Sequence, residues 1–219
     1  MKNLRVLLVD DHPIVRDGLT TIINHEKDLE VCGYAGEAPE ALKAVAELRP
    51  DVVTVDIALK SSDGIELTKD LKTRYPALPM IVLSIYDELT YTERALHAGA
   101  RAYLMKEVAS ENIVAAIRTV LSGEIYVSNT MGKKLLRKMA ATGKTDTIST
   151  SIDSLSDREL ETFRLIGRGY KPSKIAQSMH LSVKTVETYR ARIKEKLNLA
   201  NADELLRYAI QWISSTYEG

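Results

Sequence analysis

Five polar residues stand where short β-branched runs of the sequence end. Asp10 and Asp11 follow the first run, Asp56 ends the third, Ser84 ends the fourth and Lys106 follows the fifth. Converging carboxylates suit Mg²⁺, which takes one or two protein carboxylates together with water and phosphate oxygens. A lysine and a hydroxyl beside them would stabilise an incoming phosphoryl group. One of the aspartates could itself be a nucleophile that forms an acyl phosphate.

The elements that must position these residues are five short runs separated by longer stretches. Each run is too short for a helix, and several are apolar without alternation, which is typical of strands buried on both faces. The stretches between them carry apolar residues at helical spacing. This alternation predicts an α/β fold with a doubly wound, five-stranded parallel sheet, whose strands have their carboxyl ends at one edge. The runs are Arg5–Val9, Glu30–Tyr34, Val52–Val55, Met80–Leu83 and Ala102–Met105.

A lone aspartate at the end of a strand is more often a turn or helix cap than a reacting group. Here five polar residues share one edge of the predicted sheet, and this coincidence favours a site over unrelated caps.

The pattern changes twice along the chain and predicts two domains. Residues 1–124 carry the strand and helix alternation, and residues 125–150 are a predicted linker in which the apolar spacing could form one short helix. Residues 151–219 have helical periodicity throughout and are predicted to form a small all-α domain of four helices.

Helix start signals organise the second domain. Ser156 and Glu159 have capping-box spacing, Pro172 suits the first turn of a second helix, and Ser182 caps a third. Two consecutive short helices with a tight connection predict a helix-turn-helix.

The formal net charge of zero conceals an asymmetry. It is −6 over residues 1–124, +4 over residues 125–150 and +2 over residues 151–219, which indicates different partners for the two domains. Cys32 stands alone in an apolar run and is interpreted as a small buried hydrophobic residue. We see no secretory signal and no apolar run of bilayer length, so we expect a cytoplasmic protein without a membrane partner.

These motifs resemble a known family. The first domain resembles the receiver domain of bacterial two-component response regulators, which has a flavodoxin-like fold; its motifs are Asp10-Asp11-His12, Asp56, Asp63-Gly64, Ser84 and Gly99–Lys106. The second resembles the LuxR-type output domain through Leu155–Glu159, Gly169, Ile175-Ala176, Leu181-Ser182, Lys184–Val186 and Lys196-Leu197. Their order and the linker length are similar to the NarL/FixJ subfamily, and the resemblance covers essentially the whole chain.

The resemblance implies a chemical role for the first site. Asp56 would accept a phosphoryl group from a phosphohistidine of a sensor histidine kinase. Asp11, Asp56 and the backbone carbonyl of Ala58 would bind Mg²⁺, and Asp10 would help directly or through water.

The resemblance also implies a switch. Ser84 and Lys106 would contact the phosphoryl oxygens, and Tyr103 would turn inward when Ser84 moves toward the phosphate. Without the family resemblance, the sequence is equally consistent with Tyr103 being an ordinary half-buried aromatic residue of a strand. The chain departs from the family at Lys60, where a proline is usual, and at Leu59, where a methionine is usual; the lifetime of the acyl phosphate is therefore open.

The third helix of the second domain is the predicted recognition helix. Its apolar face holds Val186, Ile193 and Leu197, and basic and polar residues occupy the remainder. Such charges are usually solvated surface, but the preceding turn and the family resemblance favour base and phosphate contacts in double-stranded DNA. The predicted DNA-binding residues are Lys184, Thr185, Glu187, Thr188, Arg190, Arg192 and Lys194.

The last helix has more apolar residues than one core face needs, among them Leu206, Ile210 and Trp212. In the resembling family this helix dimerises the output domain; the alternative is a simple core helix.

The sequence is compatible with three functions. The leading one is a transcription regulator, not an enzyme, in which phosphorylation of Asp56 gates dimerisation and DNA binding. The second is a haloacid-dehalogenase-like phosphohydrolase, but that class needs an acid two residues after the nucleophile, where this chain has Ala58, and leaves the helix-turn-helix unexplained. The third is a constitutive DNA-binding protein with a silent receiver.

Overall fold

Five short strands form one parallel sheet in the first half of the chain. The strands are β1 (Leu4–Val9), β2 (Leu29–Ala35), β3 (Val52–Asp56), β4 (Met80–Ser84) and β5 (Ala102–Met105). Their order is β2-β1-β3-β4-β5, and each neighbouring pair is parallel. This confirms the predicted sheet, with strand ends within one residue of the predicted runs. The structure is a computed structural model that describes residues 3–60, 62–140, 152, 154–179 and 181–217.

Helices cover both faces of the sheet because every crossover between parallel strands needs one. They are α1 (Pro13–His25), α2 (Ala38–Leu48), α3 (Gly64–Arg74), α4 (Glu88–His97) and α5 (Lys106–Leu121). One apolar core includes residues of α1 and α5, and another includes residues of α2 and α3. Residues Val6 to Val9 of β1, which lies between β2 and β3, are fully buried, as expected of a strand covered on both faces.

A sixth helix, α6 (Asn129–Ala140), follows the sheet domain. It coincides with the short helix predicted for the linker, and Met131 is fully buried. The contacts between residues divide the chain into two compact units, Met1–Ala140 and Ala141–Gly219, and α6 belongs to the first unit. The rest of the predicted linker, residues 141–150, lies outside the described residues.

The second unit contains four helices within its described residues, as predicted. They are α7 (Asp157–Gly167), α8 (Pro172–Ser178), α9 (Val183–Lys196) and α10 (Ala202–Tyr217). The capping box at the start of α7 is formed, with Ser156 and Glu159 bonded reciprocally. Phe163 anchors the core between the rings of Tyr208 and Trp212, whose centroids lie 5.9 and 5.7 Å away. Among the described residues, no helix is both long and apolar enough to cross a bilayer.

Candidate functional site

The carboxyl ends of β1, β3 and β4 meet at one edge of the sheet. Asp10 follows β1, Asp56 is the last residue of β3, Ser84 is the last residue of β4, and Lys106 begins α5 directly after β5. The Asp10 N–H donates to the carbonyl of Ala35 over 3.0 Å, which fixes the chain as it leaves the sheet. The topology thus gathers residues that are far apart in sequence, as the parallel fold predicts.

Lys106 joins two buried aspartates. Its Nζ lies 2.7 Å from Oδ2 of Asp56 and 2.7 Å from Oδ2 of Asp10. Both aspartates are only 1% exposed. One ammonium therefore faces two carboxylates, and the trio carries a net negative charge that a cation or a phosphoryl-bound metal can balance.

Asp11 and His12 complete an acidic cluster above this trio. Asp10, Asp11, His12 and Asp56 each have one potential ligand atom within 4.8 Å of the others. The Nδ1 atom of His12 lies 2.9 Å from Oδ1 of Asp11 and 3.1 Å from Oδ1 of Asp10. The side chain of Asp11 is more exposed than those of Asp10 and Asp56, so it faces the solvent side of the cluster.

The loop after β3 positions Asp56 through its backbone. The Ala58 N–H donates to Oδ1 of Asp56 over 3.0 Å, which leaves Oδ2 to Lys106. Asp63 caps α3 by accepting from the N–H groups of Ile65 and Glu66. At Gly64 a Cβ atom would lie 2.0 Å from the carbonyl oxygen of Asp56, so only glycine fits.

Ser84 and Tyr103 both bond to the backbone of Tyr86. The Tyr86 N–H donates to Oγ of Ser84 over 2.8 Å, and the Tyr103 hydroxyl donates to the Tyr86 carbonyl over 2.8 Å. Tyr103 is 2% exposed and lies inside, and Tyr86 stacks on Tyr91 with ring centroids 5.0 Å apart. One residue of the β4–α4 loop therefore links the serine of the site to the tyrosine of β5.

On α9, the predicted DNA-binding residues separate into two groups. Lys184, Glu187, Thr188 and Arg192 are exposed, whereas Thr185, Arg190 and Lys194 are partly buried. The Thr185 hydroxyl lies 2.8 Å from the hydroxyl of Ser182, the N-cap of α9. Part of the hydrogen-bonding capacity of Thr185 is therefore used at the start of the helix.

Arg190 turns toward the protein. Its guanidinium pairs with Glu187 over 2.8 Å, and it lines a cavity of about 270 Å³ together with Lys171, Asp203 and Leu206. The surface of α9 that could enter a DNA groove is therefore formed by the exposed residues Lys184, Glu187, Thr188 and Arg192.

Comparison with known families decides what this architecture is. Residues 6–118 match the family model described as response regulator receiver domain, and residues 153–209 match bacterial regulatory proteins, luxR family. The chain is a LuxR-type two-component response regulator. A response regulator of this architecture is a DNA-binding transcription regulator and not an enzyme, as the sequence predicted. Its receiver interacts with histidine kinases.

Named relatives of this response regulator cover nearly its whole length. The oxygen regulatory protein NreC of Staphylococcus epidermidis is 35% identical over 212 residues, which is 95% of this chain and 97% of that protein. RcsB of Salmonella enterica serovar Typhimurium, solved on a promoter with the phosphomimetic BeF3⁻, is 26% identical with a TM-score of 0.58; the match covers 95% of this chain and 98% of that one. Another RcsB–DNA complex is 25% identical with a TM-score of 0.56 and covers 94% and 98%.

Burial shifts the protonation equilibria of the central ion pair. Desolvation raises the pKa of Asp56, and the charge of Asp10 adds to this rise, while Lys106 and the Ala58 N–H oppose it. Desolvation lowers the pKa of Lys106, but the carboxylates of Asp56 and Asp10 outweigh it and leave that pKa raised. Lys106 therefore stays charged at neutral pH.

Sequence reasoning missed two parts of this response regulator's site. The sequence placed His12 in the family motif without a role for its side chain, although this side chain is adjacent to Asp10 and Asp11. Sequence reasoning assigned no structural role to Tyr86, whereas the structure places the Tyr86 backbone between Ser84 and Tyr103. The one signal for Tyr86 was its position two residues after Ser84. The hydrogen bond of Ala58 to the site uses its N–H, and the metal-binding role of its carbonyl stays a prediction.

Proposed function

We propose that Asp56 of this response regulator is phosphorylated by a sensor histidine kinase in a Mg²⁺-dependent reaction, and that the acyl phosphate gates dimerisation and DNA binding. The observation that carries the proposal is Lys106 with its Nζ 2.7 Å from both Asp56 and Asp10 at the carboxyl edge of the sheet. The setting we propose is the cytoplasm, where a kinase and DNA are both accessible.

The residues present fit a hard divalent cation. Asp10, Asp11 and Asp56 offer carboxylate oxygens in one cluster, and such oxygens are the ligands that Mg²⁺ prefers. We propose that Asp11, Asp56 and the Ala58 carbonyl hold the ion, with Asp10 assisting. When bound, Mg²⁺ would neutralise charge on the transferring phosphoryl group.

The chain's own residues perform the remaining chemistry. A carboxylate oxygen of Asp56 attacks the phosphorus atom as the bond from phosphorus to the kinase imidazole nitrogen breaks, and that nitrogen keeps the electron pair. Lys106 is charged and its Nζ is already adjacent to Asp56, so it stabilises the negative phosphoryl oxygens. Ser84 would donate its hydroxyl proton to one of these oxygens; its Oγ accepts from the Tyr86 N–H, so this proton is not used in the bond to Tyr86.

The exposed residues of α9 support a DNA-reading role. Lys184, Glu187, Thr188 and Arg192 face solvent at one side of the helix, where a recognition helix presents base and phosphate contacts. We assign Thr185, Arg190 and Lys194 to the flanks of this surface.

An apolar stripe on α10 supports dimerisation. Leu206 and Ile210 are 39% and 47% exposed and lie one turn apart, so they share a face. A second copy of the chain would remove this stripe from water.

The test compares wild type with Asp56→Ala by sedimentation and by fluorescence-monitored DNA binding, with and without Mg²⁺ and beryllofluoride. We expect beryllofluoride to dimerise wild type and tighten its DNA binding, and to leave Asp56→Ala unchanged. Asp70→Ala, which removes an exposed aspartate of α3, is the matched control and should respond like wild type. Equal DNA binding by wild type and Asp56→Ala under every condition would establish the constitutive reading instead.

A further inference from the structure

The segment after α5 pairs with the open edge of the sheet. Tyr126 forms a parallel bridge with Ala102. The Tyr126 N–H donates to the Arg101 carbonyl over 2.9 Å, and its carbonyl accepts from the Tyr103 N–H over 3.2 Å. The Tyr126 hydroxyl donates to Oδ1 of Asn112 over 3.1 Å. This segment therefore covers the edge of β5 beside Tyr103, where backbone groups would otherwise need another partner.

Two residues further on, Ser128 connects this segment to α4. Its Oγ accepts from the Met131 N–H over 3.1 Å, which makes it the N-cap of α6. The same hydroxyl donates its proton to Oε1 of Glu88 over 2.5 Å. Glu88 is the first residue of α4, so one hydroxyl joins the starts of two helices.

Glu88, the acceptor in this contact, is connected to the acidic site through the loop between β4 and α4. Glu88 lies two residues after Tyr86, whose N–H is held by Ser84 and whose carbonyl accepts from Tyr103. Ser84 has one hydroxyl proton and a short side chain. Its Oγ accepts from the Tyr86 N–H, so when Ser84 moves to donate its proton to a phosphoryl oxygen, the acceptor of the Tyr86 N–H moves as well and the short loop from Tyr86 to Glu88 is displaced with it.

We propose that the hydrogen bond from Ser128 to Glu88 relays phosphorylation from the β4–α4 loop to α6, the helix that leads into the DNA-binding domain. This rests on the proposed function, because it takes Asp56 phosphorylation as its input. A shift of Glu88 moves or releases the capping hydroxyl of Ser128, and α6 then starts from a different position. Met131, buried in the first turn of α6, makes that start sensitive to its surroundings.

The experiment breaks the bond from each side. For Ser128→Ala and Glu88→Ala in the full chain, the gating ratio is measured as the DNA affinity with beryllofluoride and Mg²⁺ divided by the affinity without them. Loss of one charge-assisted hydrogen bond should reduce this ratio about fivefold in each variant. Ser128→Thr keeps a hydroxyl and should retain most of the ratio.

Matched controls and two further readouts separate a relay from a loss of structure. Ser122→Ala removes a hydroxyl that donates to the Thr119 carbonyl at the end of α5 over 2.8 Å, and Glu107→Ala removes an exposed acid in the first turn of α5; both should gate like wild type. Thermal unfolding and direct calorimetric binding of beryllofluoride are measured for every variant. The relay requires that Glu88→Ala remains folded and binds beryllofluoride while its gating ratio falls.

Three results would overturn the relay. Unchanged gating in Ser128→Ala and Glu88→Ala shows that the bond carries no signal. A loss in Ser128→Ala alone assigns the effect to the cap of α6 rather than to the bond. Absence of gating in wild type removes the proposed function itself and the relay with it, and the wild-type measurement distinguishes this from the first two results.

Discussion

Lys106 Nζ lies 2.7 Å from Oδ2 of Asp56, at the bottom of a site where Asp10 competes for the same ammonium group. The pair lies between the end of β3 and the start of α5, and loss of Lys106 would leave two buried carboxylates without their shared cation. Desolvation raises the pKa of Asp56 even though Lys106 opposes that rise. The carboxylate proposed to react is therefore costly to bury, and this cost is measurable.

Asp56→Asn should stabilise the fold at neutral pH by about 1 kcal/mol, because it removes one of two buried carboxylates that share a single cation. The folded-state pKa of Asp56 is raised above its unfolded value. The fold therefore favours the protonated form, and the stability this gives below the unfolded pKa is lost as pH rises through the folded pKa. The advantage of Asp56→Asn over wild type should accordingly grow with pH. Urea unfolding between roughly pH 4 and pH 8 checks this, and an advantage that is largest in acid would contradict it.

Lys106→Met should move the pH dependence of Asp56 phosphorylation to higher pH. Burial raises the pKa of Asp56, and Lys106 is the main group that opposes it, so its loss raises that pKa further. The rate with a small acyl phosphate donor is measured against pH. Lys43→Met, which removes an exposed lysine of α2, should keep the wild-type profile. An unshifted midpoint in Lys106→Met would show that Lys106 does not act on the ionisation of Asp56.

Gly64→Ala should destabilise the first domain by about 3 kcal/mol, because the added methyl group would meet backbone atoms of Asp56 and Ile57. Gly18→Ala is the matched control. Gly18 lies within α1, and a Cβ there meets nothing within 4 Å, so alanine should stabilise by about 0.5 to 1 kcal/mol. Urea midpoints of the two variants should move in opposite directions; a shift of the same sign would refute the close approach at Gly64.

Arg192→Ala and Arg190→Ala should affect DNA binding differently although they are two residues apart. Arg192 is exposed on α9, so its loss should weaken binding and reduce the slope of log affinity against log salt by about one. Arg190 is paired with Glu187 and lines a cavity, so its loss should lower thermal stability and leave most of the salt slope. Titrations at several salt concentrations decide; equal changes in slope would place both side chains on the DNA.

Much of the fold followed from short-range patterns. The β-branched runs, the helical spacing between them and the capping box at Ser156 each depend on neighbours in sequence, and the structure reproduces all three. The convergence of Asp10, Asp56 and Lys106 also followed, because parallel strands must align their carboxyl ends. Side-chain direction did not follow: Arg190 turns back toward a cavity because of where α9 packs on its neighbours, and no local pattern encodes that.

By itself, the sequence determined the architecture, the family and the aspartates, serine and lysine of the acidic edge, since these depend on periodicity, residue type and strand order. Only the tertiary structure decided which of these residues form hydrogen bonds and ion pairs with one another. It placed Lys106 equally close to two aspartates, put the Tyr86 backbone between Ser84 and Tyr103, and joined Glu88 to Ser128 across 40 residues. These contacts arise from packing between distant elements, where distances of a few tenths of an ångström decide which donor meets which acceptor.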